Sequence, residues 1–270
     1  MPKILRLGGL LLVALLGLAA ARALQLRRHQ QAWRRQEAAH DDLLLPSQSF
    51  RQLVRADTLS PAQCDTLFQY HNLAALLRTD QAANQGFFGR RQQRLEVYVA
   101  EANQHLQQPG TYQLQGFTRV AGSIRRLAGT VQLRRVRYLT APGDPRYTVV
   151  GTFAFRQSAL AGGPVLASWH GLVAVDVEVA ARRVRLFRSE GAMEYNSRGL
   201  AFEGTATTAS TPTAQPVLWA EDFLPLAKHV LRDFTLGGRS SEISPKYRRA
   251  GWVDYYRNDE WWAGLPNPGH

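Results

Sequence analysis

The sequence predicts a mainly β protein: an antiparallel, strongly curved sheet or barrel of about eight strands, with an N-terminal hydrophobic helix and short flanking helices. Three observations lead to this prediction. Apolar and polar residues alternate with a period of two in many short segments between Leu95 and Trp219, which is the pattern of half-buried strands. Turns marked by Gly and Pro separate these segments. One pattern, apolar-x-Gly-x-apolar, also recurs along the same region.

The recurring pattern centres on Gly129, Gly151 and Gly171, and it returns more faintly at Gly204. Glycine inside a strand costs stability because it loses much backbone freedom and packs no side chain. The favoured interpretation is curvature, since glycine lets a strand bend where a sheet closes. The alternative is room for a ligand inside the sheet. The candidate cavity-lining residues are then Gly129, Gly151, Gly171, Phe153 and Trp169.

Changes in composition divide the chain into four segments. Residues 1–40 are predicted to form a signal-anchor or signal-peptide helix with a basic flank, and residues 41–92 a linker and helical entry segment. Residues 93–220 are predicted to form the antiparallel, barrel-like body. Residues 221–270 are predicted to form a helical, aromatic-rich segment that packs on the body, with a partner-facing or membrane-facing surface as the alternative for its aromatic residues.

The N-terminal tract at residues 7–26 predicts a single membrane span, with the body outside the cytoplasm. Its uncharged part, residues 7–21, would form a helix about 22 Å long, against a hydrocarbon core of about 30 Å. Snorkelling of Arg22 and the apolar residues after it extend the helix. Two alternatives stay open. A cleavage site at residues 21–23 would leave a secreted or periplasmic protein, whereas the arginines between residues 27 and 35 favour a body in the cytoplasm.

The net charge of +12 comes mostly from arginine. It indicates either a surface that meets anionic partners or a base composition that enriches Arg, Ala, Leu and Gly together, and we favour the second. No nucleic-acid-binding motif accompanies the charge, which argues against a nucleic-acid partner. The expected partners are the membrane through residues 7–26 and an apolar ligand or a protein. The oligomeric state stays open.

Two local patterns precede the predicted body. Ser60 and Pro61 predict the start of a helix, with Ser as N-cap and Pro at the first position. Apolar residues at helical spacing extend this helix from Leu67 to Leu77, so that it packs on the sheet or covers one of its ends. The segment QGFFG at 85–89 predicts a turn with exposed phenylalanines.

No catalytic, cofactor-binding or metal-binding residue is predicted. The single cysteine, Cys64, excludes an intrachain disulfide. The sequence contains no HExxH, GxSxG, Walker loop or CxxC. The adjacent acids at 221–222 and 259–260 are expected to be solvated. These observations favour a binding or structural protein, with an exported enzyme whose site lies in the barrel mouth as the alternative.

Three features together resemble uncharacterised bacterial envelope proteins with a single membrane anchor. They are the segment FFG at 87–89, the apolar-x-Gly-x-apolar strands, and SPKYRRAGW at 244–252. The number of strands also resembles calycin-type barrels, which bind small molecules. The resemblance covers most of the body and implies a calycin-like, membrane-anchored protein of the cell envelope. The Gly-x-Trp pattern that lipocalins have near their first strand is not present, so the resemblance implies no ligand.

Overall fold

The structure, a computed structural model, describes Arg22, Leu24 and Arg27, and residues 44–139, 142–143, 145–180, 183–187, 199–208, 211–236 and 242–266. The described helices and strands after residue 43 belong to one unit of the chain. Arg22, Leu24 and Arg27 are helical and exposed. The other residues of the helix predicted at 7–26 lie outside the described residues. Within the described part of the chain, no helix combines the length and the apolar character that a membrane span needs.

Nine antiparallel strands in the described ranges form one sheet, and eight of them close into an uneven ring. The strands are β1 (Asn84–Phe88), β2 (Gln93–His105), β3 (Gln108–Val120), β4 (Ser123–Tyr138), β5 (Arg146–Ser158), β6 (Ala167–Ala180), β7 (Arg183–Leu186), β8 (Leu200–Thr208) and β9 (Thr211–Ala220). Around the ring β1 to β6 follow one another, then β8 and β9, and β9 pairs with β1 to close it. β7 pairs only with the end of β6. The prediction of a mainly β, strongly curved antiparallel sheet is therefore confirmed.

The period-two pattern produces this ring because one face of each strand points inward. In β5, Phe153 and Phe155 are buried, whereas Thr152, Ala154 and Arg156 are exposed. Successive side chains of a strand point to opposite faces, so each ring strand can present an apolar row to the interior.

The glycines of the repeated pattern lie where neighbouring strands approach each other closely. A Cβ atom at Gly129, Gly151 or Gly171 would overlap a backbone carbonyl oxygen of the adjacent strand. Gly151 lies opposite Leu133, and β4 has a bulge between Leu133 and Arg135. Bulges and glycines together allow a sheet to bend. The geometry supports curvature as the reason for these glycines.

Large aromatic side chains fill the centre of the ring. Trp169 and Trp219 are both 1 % exposed, and their ring centroids are 5.7 Å apart. Phe202 stacks on Trp219 at 4.6 Å, and Phe153 meets the same indole edge-on at 5.2 Å. Aromatic pairs favour such stacked and edge-to-face arrangements, and the interior is consequently a packed core.

Short helices flank the ring. They are α1 (Pro46–Leu53), α2 (Pro61–Tyr70), α3 (Ala74–Leu77), α4 (Phe223–Val230) and two 3₁₀ helices, Pro245–Ala250 and Trp252–Asp254. The predicted start of α2 is confirmed. The Ser60 side chain accepts a hydrogen bond from the backbone N–H of Gln63, and the Gln63 side chain accepts one from the N–H of Ser60. This reciprocal pair satisfies two N–H groups at the helix start.

α2 and α3 cover one end of the ring, as predicted, through Phe68, Leu73 and Leu77, which belong to its core. The prediction of one helix reaching Leu77 was wrong. α2 ends at Tyr70, where an extended residue, His71, caps it, and α3 starts only at Ala74. The break lets Leu73 and Leu77 enter the core, and it leaves Tyr70 79 % exposed.

The turn predicted at 85–89 was also wrong, because residues 84–88 form the strand that closes the ring. Phe88 points into the ring toward Trp169, with ring centroids 5.9 Å apart, whereas Phe87 packs against the C-terminal residues outside it. Both faces of β1 are covered. A five-residue strand of this kind shows no alternation by which it could be recognised.

The outer face of the ring is covered in two places. Phe50 and Leu53 of α1 pack on β5 and β6. The aromatic-rich C-terminal segment packs on β1, β8 and β9, where Trp252 is fully buried and donates its indole N–H to the carbonyl oxygen of Gln92 at 2.8 Å. Tyr247 donates its hydroxyl to the carbonyl oxygen of Arg232 at 2.8 Å. The contacts of Trp252 attach the C-terminal segment to the ring, and the Tyr247 hydrogen bond joins two parts of the segment itself.

Candidate functional site

The candidate cavity-lining residues all face the interior of the ring. They are Gly129, Gly151, Gly171, Phe153 and Trp169. The structure brings Gly171 opposite Phe153 in the β5–β6 pair. Phe153 and Trp169 are 3 % and 1 % exposed, and the space around them is occupied by other aromatic rings. In the described residues, two clefts on the outside of the ring offer more accessible polar groups.

The first outer feature is an ion-pair network, the arginine cluster, made of Arg94, Glu96, Arg119 and Asp259. Glu96 lies at its centre. Its Oε1 accepts hydrogen bonds from Arg94 Nη2 at 3.1 Å and from Arg119 Nη2 at 2.9 Å, and its Oε2 accepts one from Arg119 Nε. Arg119 also donates to both carboxylate oxygens of Asp259, at 2.7 and 2.9 Å. Two-point contacts of this kind between arginine and carboxylate are strong and directional.

Burial and pairing with opposite charges shift the pKa values of the arginines in this cluster in opposite directions. The Arg94 and Glu96 side chains are 8 % and 6 % exposed, and burial lowers the pKa of Arg94. Burial also acts to lower the pKa of Arg119, but the hydrogen bonds to Glu96 and Asp259 outweigh it, so the pKa is raised. The hydrogen bond from Arg119 lowers the pKa of Asp259. Opposite charges within hydrogen-bonding distance favour the charged forms.

Aromatic contacts reinforce the arginine cluster. The guanidinium of Arg119 lies over the ring of Trp261, 5.1 Å from its centroid, and Trp262 stacks on Tyr98 at 4.8 Å. A cleft of about 270 Å³ adjoins the cluster. Because the charged groups of the cluster satisfy one another, it acts as a structural link between the C-terminal residues and strands β2 and β3. Asp259 is exposed, as expected for a solvated acid, and it also pairs with Arg119.

The second outer feature is a cleft of about 450 Å³, the amide groove, between α2, the β2–β3 turn and β4. Most of its polar side chains are Asp65 and Gln69 from α2, Gln107 from the turn, Gln108 from the start of β3, and Gln132 and Arg134 from β4.

The walls of the amide groove are joined to each other. The side-chain amide of Gln104 donates to the carbonyl oxygens of Phe68 and Pro109, at 2.8 Å and 2.5 Å. Gly110 brings the ring of Phe68 close, because a Cβ there would lie 3.2 Å from Phe68 Cδ2 and 2.5 Å from the carbonyl oxygen of Leu133. These contacts within the chain fix the shape of the groove without a ligand, and the ring of Phe68 forms part of its lining.

Several polar groups in the groove have no partner. Within the part of the chain that the structure describes, the side-chain heads of Asp65, Gln69 and Gln107 make no hydrogen bond or ion pair. All three residues are exposed. The Oε1 atom of Gln132 accepts from Arg134 Nη2 at 2.6 Å, which leaves its amide nitrogen as a donor. The lining of the groove therefore includes unpaired donors and acceptors that can bind a polar ligand.

Sequence reasoning predicted neither outer feature. The helix start at Ser60 places Asp65 and Gln69 on one helix, and the run QQPG at 107–110 indicates a turn rich in amides. The contribution of β4 depends on strand pairing, which sets Gln132 opposite Thr111. No local pattern in the sequence indicates that pairing.

Among the described residues, no group of three or more His, Cys, Asp and Glu side chains lies close enough to hold a metal ion. Comparison of the chain with protein-family models, with curated proteins and with solved structures finds no match.

Proposed function

We propose that this chain is a membrane-anchored binding module of the cell envelope, which holds a ligand in the amide groove without chemical turnover. The observation that supports the proposal is that one cleft of about 450 Å³ is lined by three polar side chains, Asp65, Gln69 and Gln107, whose heads have no partner among the described residues. Sites for small molecules commonly have volumes of about 300–1,000 Å³ and a few convergent polar groups.

The rigidity of the surrounding elements supports the same proposal. The ring closes on itself and leaves β3 and β4 paired on both sides, and α2 begins with a complete capping box. The backbone of such elements needs no reordering when a ligand binds, which favours affinity.

The anchoring part of the proposal rests on the apolar tract at residues 7–26. We propose that it stays uncleaved and that the body lies outside the cytoplasm. Protease treatment of spheroplasts tests this. The body should be degraded by protease added from outside, and a protected body would place it in the cytoplasm. N-terminal sequencing of the membrane-bound protein should return Met1 or Pro2, and a sequence starting after residue 21 would contradict the anchor.

Thermal unfolding with a panel of soluble oligosaccharides, lysophospholipids and oligopeptides tests the binding function. A ligand at 100 times its Kd adds about 2.7 kcal/mol, which corresponds to a rise in Tm of roughly 5–10 °C for a chain of this size. The rise should be lost in the double variant Gln69→Ala, Gln107→Ala and kept in Gln113→Ala, which changes an exposed glutamine of β3 outside the groove. A panel without any stabilising compound, or equal stabilisation of both variants, would contradict the proposal.

A further inference from the structure

We propose that the ligand of the amide groove is a neutral, polyhydroxylated molecule, such as a segment of an uncharged oligosaccharide. This inference rests on the proposed function, and it names the class of ligand that the chemistry of the groove selects.

The hydrogen-bonding groups of the groove suit hydroxyl groups. Gln69 and Gln107 each supply an amide with both a donor and an acceptor, and Gln108 and Gln132, whose Oε1 atoms accept from Thr111 and Arg134, add amide N–H donors. A sugar hydroxyl likewise donates one hydrogen bond and accepts others. A phosphate or an ionised carboxylate only accepts, so it would leave the amide oxygens unpaired. An ammonium group only donates, and it would leave the amide N–H groups unpaired.

The charge of the groove argues in the same direction. Its lining contains one acid, Asp65, and one base, Arg134, so its formal charge is zero although the chain as a whole has a net charge of +12. The guanidinium of Arg134 is held by Gln132. An anion would therefore meet little net attraction in this groove, and Asp65 would repel it.

An aromatic ring lies where the non-polar face of a sugar ring can contact it, because Phe68 forms part of the lining of the groove.

Titration calorimetry on the full chain tests the inference, in a zwitterionic detergent without a sugar headgroup. The neutral probes are cellohexaose, maltohexaose and N-acetylchitohexaose, and the anionic probes are polyglutamate and inorganic phosphate. We expect saturable binding of at least one neutral probe, with a Kd that stays constant between about 0.05 and 0.5 M salt, because screening acts on charges.

Three variants locate the binding. Gln69→Ala and Gln107→Ala should each weaken the affinity for the neutral probe about three- to tenfold, the effect of one neutral hydrogen bond. Gln113→Ala should leave the affinity unchanged.

The outcomes separate this inference from the proposed function. If only an anionic probe or a peptide binds, and the groove variants weaken that binding, the groove is a binding site but the ligand class is wrong. If a neutral probe binds equally well to every variant, both the inference and the proposed groove are wrong. If no probe binds the wild-type chain, the inference is overturned, and the thermal-unfolding panel decides on the proposed function.

Discussion

The arginine cluster and the amide groove lie on the outside of the same ring, and β3 contributes to both. In the arginine cluster the polar heads bind one another. Glu96 accepts hydrogen bonds from two arginines, and Arg119 binds two carboxylates. In the amide groove the heads of Gln69 and Gln107 bind no described residue. The comparison teaches that polar side chains which pair with one another hold the chain together. Polar side chains without a partner in the chain stay available to bind a ligand.

The largest effect should follow from Glu96→Gln, which removes the charge between two arginines. A buried charge left without its partner costs about 3–5 kcal/mol, and the Arg94 side chain is only 8 % exposed. Urea unfolding should show this loss. Glu101→Gln on the same strand is the control, since the described residues provide no partner for its side chain, and it should change stability by about 0.5 kcal/mol or less. Equal stability of the two variants would contradict a structural role for the cluster.

Gly151→Ala should lower the stability of the protein and disturb the amide groove. An added Cβ would overlap the backbone of Gln132 and Leu133, and both residues also line the amide groove. Overpacking of this kind costs about 1–3 kcal/mol, and ligand binding should weaken as β4 shifts. Gly264→Ala is the control, because nothing lies within 4 Å of a Cβ there. If both variants have wild-type stability in chemical denaturation, the close approach of β4 to β5 is not the reason why residue 151 is a glycine.

Asp259→Asn tests the outer part of the arginine cluster. Asp259 is 34 % exposed in its side chain, so we expect a loss of about 1 kcal/mol or less and faster proteolysis near the C terminus. The pKa of Asp259 is lowered from its ordinary value of 3.8 by Arg119. Its stabilising contribution is therefore fully present above pH 3.8 and is lost as the pH falls through the lower, folded-state pKa. The wild type should lose more stability than the variant in that acidic range, and parallel pH profiles would contradict the pairing.

The smallest effect on stability should follow from the double variant Gln69→Ala, Gln107→Ala. Both side chains are exposed and unpartnered in the described structure, so the free energy of unfolding without ligand should change by about 0.5 kcal/mol or less. A loss of several kcal/mol in chemical denaturation would show that these amides hold the fold, as the charged groups of the arginine cluster do, and the contrast between the two regions would disappear.

Much of the fold could be predicted from the sequence because its causes are local. Alternation identified the strands that contain Phe153 and Trp169, and the N-cap at Ser60 identified the start of α2. Local patterns did not predict the elements whose structure depends on tertiary contacts. β1 has both faces covered, and its identity as a strand depends on pairing with β9, about 130 residues further along the chain.

The two outer regions depend even more on distant contacts. Arg119 meets Asp259 across 140 positions of sequence, and the amide groove needs the register that sets Gln132 opposite Thr111. Neither a charge pattern nor a motif indicates such pairs. By contrast, Phe153 and Trp169 lie in the buried core of the ring, and recognising that such residues share one face of a strand needs only the period of the strand.

The pairing of β1 with β9 also constrains how the protein is made. A chain growing from its N terminus has β1 to β8 available while β9 is still missing, and β1 then has an open edge. Open edges promote pairing between separate molecules, and contacts between distant segments form slowly. Nascent chains that stop before residue 217 should therefore aggregate or require a chaperone, whereas chains completed to residue 220 have no exposed ring edge.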